Sequence, residues 1–149
     1  MGLDSRYRQM AAVVVLTNHP GTSDPPWPDD LLRQAGYDVI LAEDTEHGVA
    51  AAAERPVTLI VLRAEGHADA FQTCRTIRTH PVTRAVPLLV VTRVDDLYTR
   101  DQFVRAGATA ILMEPPRPAL LLRQVRRLTG RHAALRRGGE YGVAAASDV

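Results

Sequence analysis

Residues 56–69 read PVTLIVLRAEGHAD, and their centre, residues 59–62, is a run of four apolar side chains bounded by Pro56 and Gly66. Such a run predicts a strand buried on both faces, as in the middle of a parallel sheet. Similar runs recur at residues 11–16, 39–42, 88–91 and 110–113, with helix-like segments between them. That alternation predicts an α/β domain: a doubly wound sheet of five parallel strands. In such sheets the working site lies at the carboxyl ends of the strands. Leu62 and Arg63 occupy that place on the central strand. A leucine and an arginine there are a poor start for most chemistry.

The chain has 149 residues, enough for one domain with a sizeable core. A net charge of +1 by itself predicts neither a nucleic-acid nor a membrane partner. The charge is unevenly spread, however. Residues 117–137 hold seven arginines and no acid, which leaves 11 arginines against 17 acids elsewhere, a balance of −6. An acidic-leaning body thus carries a basic tail. Lysine is absent, which removes the amine that forms Schiff bases. The single cysteine, Cys74, excludes an internal disulfide and fits a reducing compartment. No apolar stretch approaches the roughly 20 residues that span a bilayer, and no secretory signal is visible. The expectation is a cytoplasmic protein without a membrane partner.

In chain order, residues 1–10 read as a lead-in, 11–131 as the domain and 132–149 as a basic, then Gly/Ala-rich tail. Three prolines within residues 25–28 make a loop and leave a short first helix, with Pro28 near its first turn and Gly36 closing it. The second strand is expected over residues 37–42. Thr45 is the expected N-cap of a helix over 46–54. Phe71, Cys74 and Ile77 give residues 68–79 a helical period. Asp95 or Asp96 is expected to cap the helix carrying Phe103 and Val104, with Gly107 at its end. A last helix is expected from residue 118 to about 128, with two ends left open: a stop near Thr129 or a continuation to Arg137.

The string CRTIRTHPVTRAVPLLVVT (residues 74–92) and the string AGATAILMEPPRPALLLRQVRRL (residues 106–128) resemble the receiver domain of bacterial response regulators, the CheY-like, flavodoxin-like (βα)5 fold. His80, Pro81, Thr83, Arg84, Pro87 and Thr92 match the middle of the family pattern, and Gly107, Ala108, Leu112 and Pro115 match its end. The resemblance assigns functional positions one by one. The acidic pair that holds magnesium in receivers falls on Thr17 and Asn18. The phosphate-accepting aspartate falls on Leu62. The family's threonine or serine is retained as Thr92, the lysine falls on Glu114, and the aromatic switch residue on Ile111. A hard cation wants carboxylate oxygens, acyl-phosphate formation needs a carboxylate nucleophile, and the phosphoryl charge needs a cation. The resemblance therefore implies a degenerate receiver with no catalytic residue, no metal and no cofactor.

Other candidates reduce to ordinary structure. The five histidines are scattered without metal-ligand spacing. Asp95-Asp96 and Glu43-Asp44 read as element-end charges, and Trp27 is divided between an exposed recognition aromatic and a cover for the short first helix. The interaction surface is expected on the last helix and its neighbours, since the resemblance implies pairing through the fourth helix, fifth strand and fifth helix. Leu121, Val125, Leu128, His132 and Leu135 follow the 4,3,4,3 spacing of a coiled-coil seam, beside Arg123, Arg126 and Arg127. The expected role is a phosphorylation-independent, non-enzymatic interaction module in bacterial signalling or transcriptional regulation, pairing with itself or another signalling protein. A nucleic-acid partner for the arginine segment and a small-molecule sensor at the strand ends stand as alternatives.

Overall fold

The computed structural model describes residues 12–17, 28–64, 69–94 and 96–137. Asn18, Trp27 and Asp95, the lead-in 1–10 and the tail beyond 137 lie outside the described residues. Strands and helices alternate: β1 (Ala12–Leu16), α1 (Pro28–Gln34), β2 (Asp38–Ala42), α2 (Thr45–Glu54), β3 (Leu59–Arg63), α3 (Ala70–Thr79), β4 (Leu88–Thr92), α4 (Leu97–Ala106), β5 (Ala110–Met113) and α5 (Pro118–Arg137). The five strands form one parallel sheet in the order β2-β1-β3-β4-β5. The central strand is therefore the one around residues 59–62.

Alternate side chains of each strand point to opposite faces, and both faces are covered. Val14, Leu16, Ile60, Leu62, Leu88 and Val90 pack with Cys74 and Ile77 of α3 and Phe103 and Ala106 of α4. Val13, Val15, Leu59, Val61, Leu89 and Val91 pack with Leu32 of α1 and with Leu121, Val125 and Leu128 of α5. Burial on both faces is why β1, β3 and β4 are continuous apolar runs rather than alternating ones. Gly48 lets α2 lie close to β1: a Cβ there would stand 2.8 Å from the Leu16 side chain. Cys74 is fully buried, and burial pushes its thiol up to about 12.

Several boundaries differ from the sequence expectation. Asp44, not Thr45, caps α2, its carboxylate accepting from the His47 backbone N–H at 2.8 Å. Both residue types cap well, but Thr45 is already helical and lies 3.4 Å from Thr73, hydroxyl to hydroxyl. Asp69 caps α3 and Asp96 caps α4. Gly107 takes a left-handed conformation, φ 112°, at the end of α4. The last helix passes through Gly130 to Arg137, the longer of the two ends left open by the sequence. Glycine in a helix costs only about 1 kcal/mol relative to alanine, and the apolar seam of α5 is already anchored on the sheet.

Arg78 holds the far end of the sheet. Its guanidinium donates to the carbonyls of Gly107 (2.9 Å), Arg84 (2.9 Å) and Val86 (2.7 Å) and to the Thr109 hydroxyl (3.2 Å). The clamp joins the end of α3 to the segments that lead into β4 and β5.

Candidate functional site

The carboxyl ends of the strands gather Thr17 after β1, Leu62 and Arg63 at the end of β3, Thr92 at the end of β4 and Glu114 just past β5. The strand-end positions assigned from sequence to residues 17, 62, 92 and 114 therefore share one edge of the sheet. Asn18 lies outside the described residues. Ile111 lies within β5 and packs against the core cluster that contains Leu62.

Leu62 is fully buried, in one apolar cluster with Leu16, Ala42 and Val90, with Ala64, Ala70 and Phe71 packed against it. The position is an upward continuation of the hydrophobic core. Thr17 is 5 % exposed, and its N–H donates to the Ala42 carbonyl at 3.0 Å. Thr92 is 5 % exposed, and its hydroxyl accepts from the Val94 N–H at 3.2 Å. That bond shapes the chain as it leaves β4, a local job open to any strand-end threonine.

Glu114 carries the strongest interaction at this edge. Its side chain is 4 % exposed and its Oε1 lies 2.8 Å from Nε of Arg63, itself only 12 % exposed. Its Oε2 lies 3.6 Å from Nε of Arg93, which is 62 % exposed. The Glu114 N–H donates to the Thr92 carbonyl at 2.8 Å, and the Glu114–Pro115 peptide is cis. The carboxylate is thus pinned by its backbone to β4 and by its side chain to β3. Two guanidiniums thus face one carboxylate at this edge.

Sequence reasoning gave Arg63 no role beyond its inability to accept phosphate. The pair joins residues on β3 and beyond β5, with β4 between them, so about 10 Å of backbone separation is bridged. Only two long side chains of opposite charge reach that far. The available signal was an acid where the resembled family has a lysine, together with an arginine directly after the last apolar residue of β3.

The proposed interface residues divide. Leu121, Val125 and Leu128 are 0 %, 0 % and 1 % exposed. They are spent on the sheet and are unavailable as a coiled-coil seam, which corrects that expectation. His132 and Leu135 fall on the extension of α5. Arg123, Arg126 and Arg127 are exposed. The elements expected to share this surface carry exposed apolar residues that sequence reasoning did not single out for it: Leu97, Tyr98 and Val104 on α4, Met113 on β5 and Leu120 on α5. The helical period of α4 does not separate them from its buried Phe103.

No family model matches the chain. It is 32% identical over 94 residues to the response regulator PleD of Caulobacter vibrioides, a match covering 62% of this chain and 21% of that protein. The fold superposes on the chemotaxis protein CheY4 of Vibrio cholerae with TM-score 0.70 and 22% identity, covering 80% of this chain and 98% of that one. The chain therefore has the fold of CheY-like receiver domains. The receiver domain of the sensor histidine kinase PA1611 of Pseudomonas aeruginosa, solved with a magnesium ion coordinated in its active-site cleft, matches with TM-score 0.68 and 24% identity over 80% of this chain and 98% of that one. The chain spans about a fifth of the length of PleD. No helix among its described residues is long and apolar enough to cross a membrane.

Proposed function

We propose that this receiver works without phosphorylation, as an interaction module in signal transduction. The buried Arg63–Glu114 pair beside Leu62 carries the reading. Covalent capture of a phosphoryl group needs a carboxylate at the acceptor position, and Leu62 is core. Charge stabilisation needs a cation aimed at the phosphoryl oxygens, and the position past β5 holds an acid. The arginine nearest Leu62 already faces that acid.

The residues also do not suit the magnesium ion that the fold family implies. Magnesium takes oxygen ligands, typically one or two carboxylates plus waters. Thr17 offers a hydroxyl, Leu62 offers nothing, and the Glu114 carboxylate lies against two guanidiniums. In this reading Arg63–Glu114 ties the ends of β3 and β5 together permanently, and the surface beyond them is held in one state.

The test is incubation with Mg²⁺ and acetyl phosphate, followed by intact mass, and with beryllofluoride, followed by amide NMR. Unchanged mass and unchanged shifts are expected. A stoichiometric phospho-adduct would overturn the reading.

A further inference from the structure

Within the body several arginines are neutralised in ion pairs, while Arg75, Arg78 and Arg84 face no carboxylate among the described residues. Arg33, Arg55, Arg63 and Arg105 each face a carboxylate: Asp29, Asp38, Glu114 and Asp101. Arg117, Arg123, Arg126 and Arg127 are exposed and have no carboxylate partner among the described residues. Residues 117–137 contain no acid at all. The positive charge of this segment is therefore uncompensated locally, while the remainder of the chain is acidic on balance.

Helical geometry concentrates that charge. Leu121, Val125 and Leu128 set the buried seam. At 100° per residue, Arg123, Arg126 and Arg127 fall on the opposite side together with Ala119 and Gly130. Small side chains flank the arginines, so a partner's backbone can approach closely. Thr129 is buried, and the helix runs eight residues further to Arg137. That extension is about 12 Å long.

We propose that the outer face of α5 binds the phosphate backbone of double-helical DNA. A single helix about 10–12 Å across fits the major groove of B-form DNA, which is about 12 Å wide. Arginines supply contacts to phosphate on either side. The acidic body would be repelled by DNA, which orients α5 toward it. Two other anionic partners fit less well. A lipid surface needs an apolar face to bury, and the outer side of α5 offers one large apolar residue, Leu120, at 40 % exposure. A second copy would meet these arginines with only a few exposed acids such as Glu43, Glu46 and Glu54, not with the continuous line of negative charge that DNA offers, since Asp29, Asp38, Asp44 and Asp101 already face Arg33, Arg55, His47 and Arg105. The contacts are to phosphate, so binding is tolerant of sequence.

The experiment is fluorescence anisotropy of a labelled mixed-sequence DNA duplex with the full chain across a salt series. Four phosphate contacts predict a loss of affinity of about 100-fold between ~50 and ~200 mM salt. Arg123→Gln/Arg126→Gln/Arg127→Gln is expected to flatten the slope of log K against log salt by about 2.7. The three positions are exposed, so the thermal melt should match the wild type. The corresponding triple lysine variant is expected to keep the wild-type slope. Absence of binding at low salt, or an unchanged slope in the glutamine variant, would overturn the proposal. Tighter binding to phosphatidylserine vesicles than to DNA would overturn it in favour of a membrane. Equal binding of duplex RNA, whose major groove is too narrow and deep for a helix, would overturn the groove-seated arrangement. DNA binding by α5 is independent of the strand ends: a phospho-adduct there would leave it standing.

Discussion

A guanidinium held against a carboxylate inside a protein is stable only while both are present. Arg63 and Glu114 are 12 % and 4 % exposed, so each is largely stripped of water. Removing one partner takes away the other's closest counter-charge, at a cost of about 3 kcal/mol. Glu114→Leu and Arg63→Met are each expected to lose about that much. The double variant is expected to recover most of it, because an apolar pair of similar volume needs no solvation. Urea unfolding of the four proteins measures this directly. Losses that simply add would show that the two residues do not act as a pair. The same experiment separates the pair from Leu62, whose burial depends on apolar packing alone.

The N-terminus of α2 carries a pH-sensitive contact. Both the His47 backbone N–H and its ring Nδ1 approach Oδ1 of Asp44, at 2.8 and 2.7 Å. The backbone bond and then the ring bond hold Asp44 below its ordinary value of 3.8, and the Asp44 carboxylate holds His47 above 6.5. A lowered acid stabilises the fold above its unfolded value, and the effect is lost as pH falls through the lowered one. A raised histidine stabilises it fully below 6.5, and that part is lost as pH rises through the raised value. The contact is therefore strongest between the two. Asp44→Asn is expected to bring the His47 midpoint down toward 6.5 in an NMR titration; an unmoved midpoint would contradict the assignment. The element pattern was legible in sequence because burial on both faces writes itself as apolar runs at residues 59–62 and 88–91. The cap was not, since Asp44 and Thr45 are both good caps and only the chain path chooses. Nor was the end of α5, because Gly130 looked like a stop while its neighbours were already fastened to the sheet. The strand-end positions were legible one at a time, whereas the Arg63–Glu114 contact exists only once β4 has been placed between its two members.

At the scale of the whole molecule, the exposed apolar side chains are unevenly placed. Leu97 is 87 % exposed, Tyr98 73 %, Val104 60 % and Met113 54 %, all on α4 or β5. β5 is also an edge strand of the sheet. Apolar residues rimmed by charge mark an interaction surface, and a second copy of the chain is the proposed occupant. Light scattering across protein concentration is expected to show a dimer that Leu97→Asp/Val104→Asp returns to a monomer. A wild type that stays monomeric at high concentration would end self-association through this side. The core layer beneath α4 offers a different kind of measurement. Cys74 lies sealed between α3 and the sheet, and its thiol is held near 12, so it meets a reagent only when that layer lifts away. Its rate of modification in native buffer is then a clock, ticking once for each opening of the domain, and ligands or partners that steady the fold should be heard in its slowing.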